Sequence, residues 1–169
     1  MNRLFISSIL MLSTLGACNK DDSSTQQLPP PTQEGKNILG CKVNEHVQIF
    51  KGKGSIPHDV GVNYYRSVDQ IVISCNNESY EHIRMTIPVI PDSAKIGVRY
   101  NFSKSELINP YASYYKGNGS IVYMTNIQSG FIKFTRLDKN IAAGIFEFTA
   151  YYNNDSVKIT EGRFDITNP

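Results

Sequence analysis

The stretches GFIKFTRL (Gly130–Leu137), DKN (Asp138–Asn140) and GIFEFTAYY (Gly144–Tyr152) decide the fold class of this chain. The first and third alternate or run apolar over the length of a strand, and the Asp-Lys-Asn between them has the composition of a tight turn. An antiparallel pair is expected there. Upstream, Ile71–Cys75 and His82–Ile87 repeat the pattern around the turn-forming Cys75-Asn-Asn-Glu-Ser79. In the second of these, Ile83, Met85 and Ile87 share one face while His82, Arg84 and Thr86 share the other, as in a sheet wetted on one side. His82 reads as a surface residue rather than a ligand. Downstream, Val157 and Ile159 fall on odd positions while Phe164 and Ile166 fall on even ones, a parity change that a regular strand cannot carry. A one-residue bulge near Thr160-Glu161-Gly162 would restore all four to one face.

Towards the front, Leu39–Asn44 and His46–Phe50 suggest an opening hairpin across Asn44-Glu45. Further β-favouring stretches are Val60–Tyr65, Lys95–Tyr100, Tyr111–Tyr115 and Ser120–Thr125. No window keeps a helical period, and Ser103–Ile108 allows at most one turn. The expected architecture is all-β: a single antiparallel β-sandwich or partly closed barrel of about ten strands over residues 37–169.

Residues 1–17 read differently. Arg3 is followed by the apolar run Leu4–Leu15, shorter than the ~20 residues a membrane-spanning helix needs. The run has the form of a signal peptide. It ends in Leu15-Gly16-Ala17-Cys18, which resembles the bacterial lipobox: an aliphatic residue, two small residues, and a cysteine whose sulfur accepts diacylglycerol. Two or three acyl chains, at ~0.8 kcal/mol per buried methylene, would hold the mature chain on its membrane. The next residues, Lys20, Asp21 and Asp22, resemble the signal that sends Bacteroidetes lipoproteins to the outer face of the outer membrane, and would equally make a solvated polar tether. Asn19–Lys36 has Leu28 as its one large apolar side chain and is expected to be a flexible tether, stiffened at Pro29-Pro30-Pro31. Residues 18–36 are thus assigned to the lipidated cysteine and its tether.

The resemblance extends further. The run Leu28–Asn44 and the closing Ile159-Thr-Glu-Gly-Arg-Phe-Asp-Ile166 are similar to a family of small Bacteroidetes lipoproteins of unknown function, one departure being Asn44-Glu45 where that family turns through Asn-Gly. A looser first turn is expected here. The resemblance implies a fold class and a location, and it transfers no catalytic or binding residue. The lipid anchor makes an outer membrane the expected partner, with an envelope protein or glycan as a further one.

Composition narrows the chemistry. With 40% hydrophobic and 19% charged residues the chain is globular, and a net charge of +2 is too small to argue for a nucleic-acid partner. Once Cys18 is lipidated, Cys41 and Cys75 remain, both on the apolar parity of their strands. They would either pair, adding ~3 to 4 kcal/mol through loop closure, or stay two buried thiols. The histidines, His46, His58 and His82, have no metal-ligand spacing, so no metal and no cofactor are expected, and no catalytic residue is named. Lys51-Gly-Lys-Gly54 lacks the following helix a phosphate loop needs.

Two constellations remain. Glu147, Asp155, Glu161 and Asp165 could converge across strands into a small cell-envelope hydrolase or inhibitor site, or be acids on wet faces. The tyrosines, 10 with no tryptophan, come in runs. One member of each run must face outwards, so Tyr65, Tyr115 and Tyr151 could present rings to a ligand such as a sugar, or simply suit pleated surface. A membrane-anchored, surface-exposed, non-enzymatic binding module is the leading expectation.

Overall fold

A computed structural model describes residues 26–53, 61–67, 69–79, 81–88, 93–104, 108–117 and 121–167. Ten strands follow one another along the described chain: β1 (Ile38–Val43), β2 (His46–Lys51), β3 (Gly61–Arg66), β4 (Ile71–Asn76), β5 (His82–Ile87), β6 (Arg99–Phe102), β7 (Tyr111–Lys116), β8 (Ile121–Leu137), β9 (Ile141–Tyr152) and β10 (Asp155–Thr167). All pair antiparallel in one sheet ordered β2-β1-β10-β9-β8-β7-β5-β4-β3, with β6 joined to β8 beside that path. The two outermost strands meet, since Val62 N–H donates to the Gly52 carbonyl at 2.8 Å and Lys53 bridges Val62 in parallel. The sheet is therefore a nearly closed barrel rather than a sandwich. Closure removes the open edges through which sheets associate.

Alternation decides what fills it. Leu39 and Cys41 of β1, Ile71, Ile73 and Cys75 of β4, Ile83, Met85 and Ile87 of β5, Phe146 and Phe148 of β9 are all buried in a single core. Aromatic edges interlock inside it: Phe134 meets Phe164 edge-on at 5.9 Å, and Phe102 meets Phe148 at 5.7 Å. Such T-shaped pairs set the positive ring edge against the negative face.

The bulge expected in β10 is present. Ile159 pairs Phe148 while Gly162 pairs Phe146, so β10 carries one residue more than β9 across this interval, and Val157, Ile159, Phe164 and Ile166 are all buried. The residue in the left-handed region is Glu161, at φ 51°. Gly162 serves a different need, because a Cβ there would come within 2.6 Å of the Phe146 carbonyl oxygen.

Three expectations are corrected. The stretches at 120–125 and 130–137 are not two strands but one, β8, whose register jumps between Thr125 and Gly130. At that jump its edge passes from β7, paired to Ile121–Met124, to β6, paired to Gly130–Lys133. The first hairpin is not loose: Val43 pairs His46 directly, and Asn44 and Glu45 take φ of 46° and 67°, the two positive values that a type I′ turn requires. Asn44 secures it with one backbone and one side-chain bond to Lys158 of β10, its N–H donating to the Lys158 carbonyl and its Oδ1 accepting from Lys158 N–H.

The third correction concerns the tether. Residues 26–36 lie along the outside of β1 and β10 as a strap. Pro29 sits on Gly40, where a Cβ would fall 2.6 Å from its Cδ, and the Pro29 carbonyl accepts from Arg163 Nη1. Buried Asp165 is the fastening. Its Oδ2 accepts from Thr32 Oγ1 at 2.6 Å and from Glu34 N–H, and its Oδ1 from Gly35 N–H at 2.7 Å. Burial would raise its pKa, but these bonds and one from Lys36 N–H outweigh that and hold it lowered. Counting apolar side chains missed this docking because hydrogen bonds and a proline-on-glycine contact hold the strap.

Candidate functional site

The outer side of the β3–β4–β5–β7 wall gathers side chains whose placement packing does not explain. Register defines a continuous row across it: Asn63 opposes Ser74, Ser74 opposes Arg84, Arg84 opposes Ser113, Ser113 opposes Met124, and Met124 opposes Tyr151. One step down the strands lie Tyr65, Val72, Thr86 and Tyr111; one step up lie Asn76, His82, Tyr115 and Val122. Arg84 is the one charged side chain in these three rows. Parity requires all of them to point out, because Ile73, Met85 and Ala112 between them fill the core.

Outward polar side chains normally reach water. Here Thr86 and Ser113 are 2% and 1% exposed, and Asn63 Nδ2, Arg84 Nε, Thr86 Oγ1 and Ser113 Oγ are sealed from solvent without a hydrogen-bond partner. Each unsatisfied buried group costs about 1–3 kcal/mol. Their grouping on one side of the sheet calls for an explanation beyond packing. Around them, His82 stacks on Tyr115 with ring centroids 4.9 Å apart.

The three tyrosines expected to face a ligand fall on this side. Tyr65 is 59% exposed and Tyr151 45% exposed, while Tyr115 is half-buried between β5 and β8. Their run partners Tyr64 and Tyr114 turn into the barrel. The row of Asn63, Ser74, Arg84 and Ser113 is absent from the sequence reading. Only the polar parity of His82, Arg84 and Thr86 hinted at it, and cross-strand register is needed to line up the rest.

The carboxylates do not converge. Asp165 is taken by the strap, and Glu161 is ion-paired with Lys42. Asp155 Oδ2 accepts the Tyr123 hydroxyl at 2.8 Å, and Glu147 is exposed. A carboxylate that sequence reading passed over, Glu81, accepts the Tyr114 hydroxyl at 2.6 Å. Burial and that bond push the Tyr114 phenol well up. Among the described residues no three His, Cys, Asp or Glu side chains come together as a metal site.

The cysteines are not paired. Cys41 and Cys75 are free and buried, on β1 and β4, which are not neighbours in the sheet. Burial pushes the Cys41 thiol up to about 12 and raises Cys75 too. Both stay protonated, so neither is a nucleophile at neutral pH. Cys18, Lys20, Asp21 and Asp22 lie outside the described residues.

No family model matches the chain, and no curated protein or solved structure is similar to it.

Proposed function

We propose that this protein is a lipoprotein of the bacterial cell envelope, anchored in the outer membrane through acyl chains on Cys18 and displayed on the extracellular face through Lys20, Asp21 and Asp22, whose barrel is a non-enzymatic binding module. The observation that carries the binding role is the outward projection of Tyr65 and Tyr151, 59% and 45% exposed on the outer side of β3 and β9. The partner is an envelope protein or a glycan. The hydrolase reading loses its support, since Asp155, Glu161 and Asp165 each have a separate structural partner.

The strap adds an orientation to this reading. It leaves only the residues before Gln26 to reach the anchor, each spanning at most ~3.5 Å. The chain leaves the barrel along β1 and β10, and in the sheet order β4 and β5 stand on the opposite wall. A domain tethered so closely along one wall presents the other one, with its tyrosines, away from the lipid.

Two variants test the reading together. Cys18→Ala should abolish acylation and release the protein from membranes, whereas retention without acyl mass would refute the anchor. Tyr65→Ala with Tyr115→Ala should leave the barrel folded and lose the envelope partner recovered with the wild-type protein. An unchanged partner set would refute the binding face.

A further inference from the structure

The turn leading into β6 sets exposed aliphatic side chains among cations. Ile96 is 58% exposed and Val98 41%, although the segment is fastened at two points. Lys95 N–H donates to the Tyr100 hydroxyl at 2.9 Å, and Gly97, at φ 81°, donates its N–H to the Phe134 carbonyl at 2.9 Å. Ala94 and Tyr100 on either side pack against the core, so the exposure of Ile96 and Val98 is built into the turn. Lys95 and Arg99 flank them, both exposed, and Arg99 stands directly opposite Lys133. Like charges opposed across strands are destabilising. Arg99 is nevertheless held in place, its guanidinium 3.6 Å from the Phe131 ring centroid and its Nε donating to Asn101 Oδ1 at 3.0 Å. Among the described residues none of these three cations has an ion-pair partner, and Glu147, opposite Phe131, reaches none of them.

These groups lie on the side of the barrel from which the tether departs. One outward row runs through Gly40, Arg163, Ile145, Lys133 and Arg99, across β1, β10, β9, β8 and β6. Pro29 of the strap sits on Gly40, and Arg163 donates to the Pro29 carbonyl. At ~4.8 Å per strand, about 20 Å separates that part of the strap from Arg99. β6 is joined to β8, apart from the β3–β4–β5–β7 wall. Size decides the occupant. A specific protein interface buries at least ~1,200 Å², far more than two aliphatic side chains at a turn supply. A lipid surface that already holds the chain needs only a small further contact, because attachment makes the second contact intramolecular. Aliphatic tips between cations match the headgroup boundary, where acyl chains meet phosphates. We propose, resting on the reading of the chain as lipid-anchored, that this turn is a second membrane contact. Ile96 and Val98 enter the headgroup region of an anionic lipid surface, and Lys95, Arg99 and Lys133 meet its phosphates.

The chain has no tryptophan, so Ile96→Trp is a fluorescent reporter without background. In the acylated full chain on vesicles of phosphatidylcholine with phosphatidylglycerol, its emission should shift to the blue and be quenched at least twofold by brominated acyl chains. Tyr65→Trp, on the tyrosine-bearing wall, should not be quenched. Vesicles of phosphatidylcholine alone, or Arg99→Gln with Lys133→Gln in the reporter protein, should remove at least half of the quenching, and raised salt should act in the same direction. An unshifted, unquenched Ile96→Trp in acylated protein overturns the turn contact and leaves the anchor standing. Equal quenching of Tyr65→Trp, or equal quenching in neutral vesicles, overturns an oriented contact with an anionic surface. A dimer in sedimentation that Ile96→Asp dissociates overturns it in favour of a second copy of the chain. Purified protein without acyl mass overturns the anchor reading, and this contact with it.

Discussion

Asp165 is the residue on which the most local structure depends, since one buried carboxylate collects Thr32, Glu34 and Gly35 and so fixes the path of the chain into β1. Hydrogen bonds to a charged acceptor contribute about 1.5–3 kcal/mol each, so Asp165→Asn should cost about 2–3 kcal/mol in urea unfolding at pH 7. The pH dependence follows from the lowered carboxyl. Its stabilisation is fully present above the unfolded value, near 3.8, and is lost as pH falls through the folded value below that. The gap between wild type and Asp165→Asn should hold steady down to that point and then close; a gap that widens in acid would contradict the assignment. Tyr64 presents the opposite case, a phenol inside the barrel whose hydroxyl has no partner and whose pKa burial raises. Tyr64→Phe should raise stability by about 1 kcal/mol, read as a higher urea midpoint, and a loss of stability would show that the hydroxyl is satisfied.

Among the elements, the β1–β2 hairpin carries an avoidable strain. Glu45 sits at φ 67° in a turn where the left-handed region costs a residue with a side chain about 1–2 kcal/mol. Glu45→Gly should stabilise the barrel by about 1 kcal/mol, part of the gain being lost to glycine's greater freedom when unfolded. Thermal melts would show this as a rise of a few degrees. A fall would mean that the turn does not take the two-residue form. In contrast, Gly162→Ala drives a Cβ against Phe146 and should destabilise by at least 2 kcal/mol through forced overpacking. How far these elements could be read from sequence depends on where their causes lie. Strand parity is local, so β4, β5, β9 and the β10 bulge were legible from the spacing of Ile71, Ile83, Phe146 and Phe164 alone. Pairing between distant segments is not local. Closure of the sheet at Val62, the passage of β8 from β7 to β6, and the strap on Asp165 all join residues far apart in the chain. The same holds at the candidate site. The projection of Tyr65, Tyr115 and Tyr151 followed from alternation, whereas the alignment of Asn63, Ser74, Arg84 and Ser113 depends on the register of four strands.

For the molecule as a whole, the barrel has two unlike walls. One, at β1 and β10, is covered by the chain's own strap; the other, at β3 to β7, carries polar groups without partners and outward tyrosines. The proposed anchor at Cys18 would bring the first towards the lipid and turn the second, with the exposed ring of Tyr65, away from it. Burial of Cys41 and Cys75 makes this arrangement measurable, because neither thiol should react with a membrane-impermeant maleimide. A Tyr65→Cys variant places a new thiol on the outward wall, at a position 59% exposed in the wild-type chain. Labelling it on intact cells is the most direct test of the account. The prediction is rapid labelling of Tyr65→Cys in the membrane-bound fraction before lysis, with the parent protein unlabelled. Labelling only after lysis, or recovery of the protein as a soluble species with no acyl mass, would contradict it.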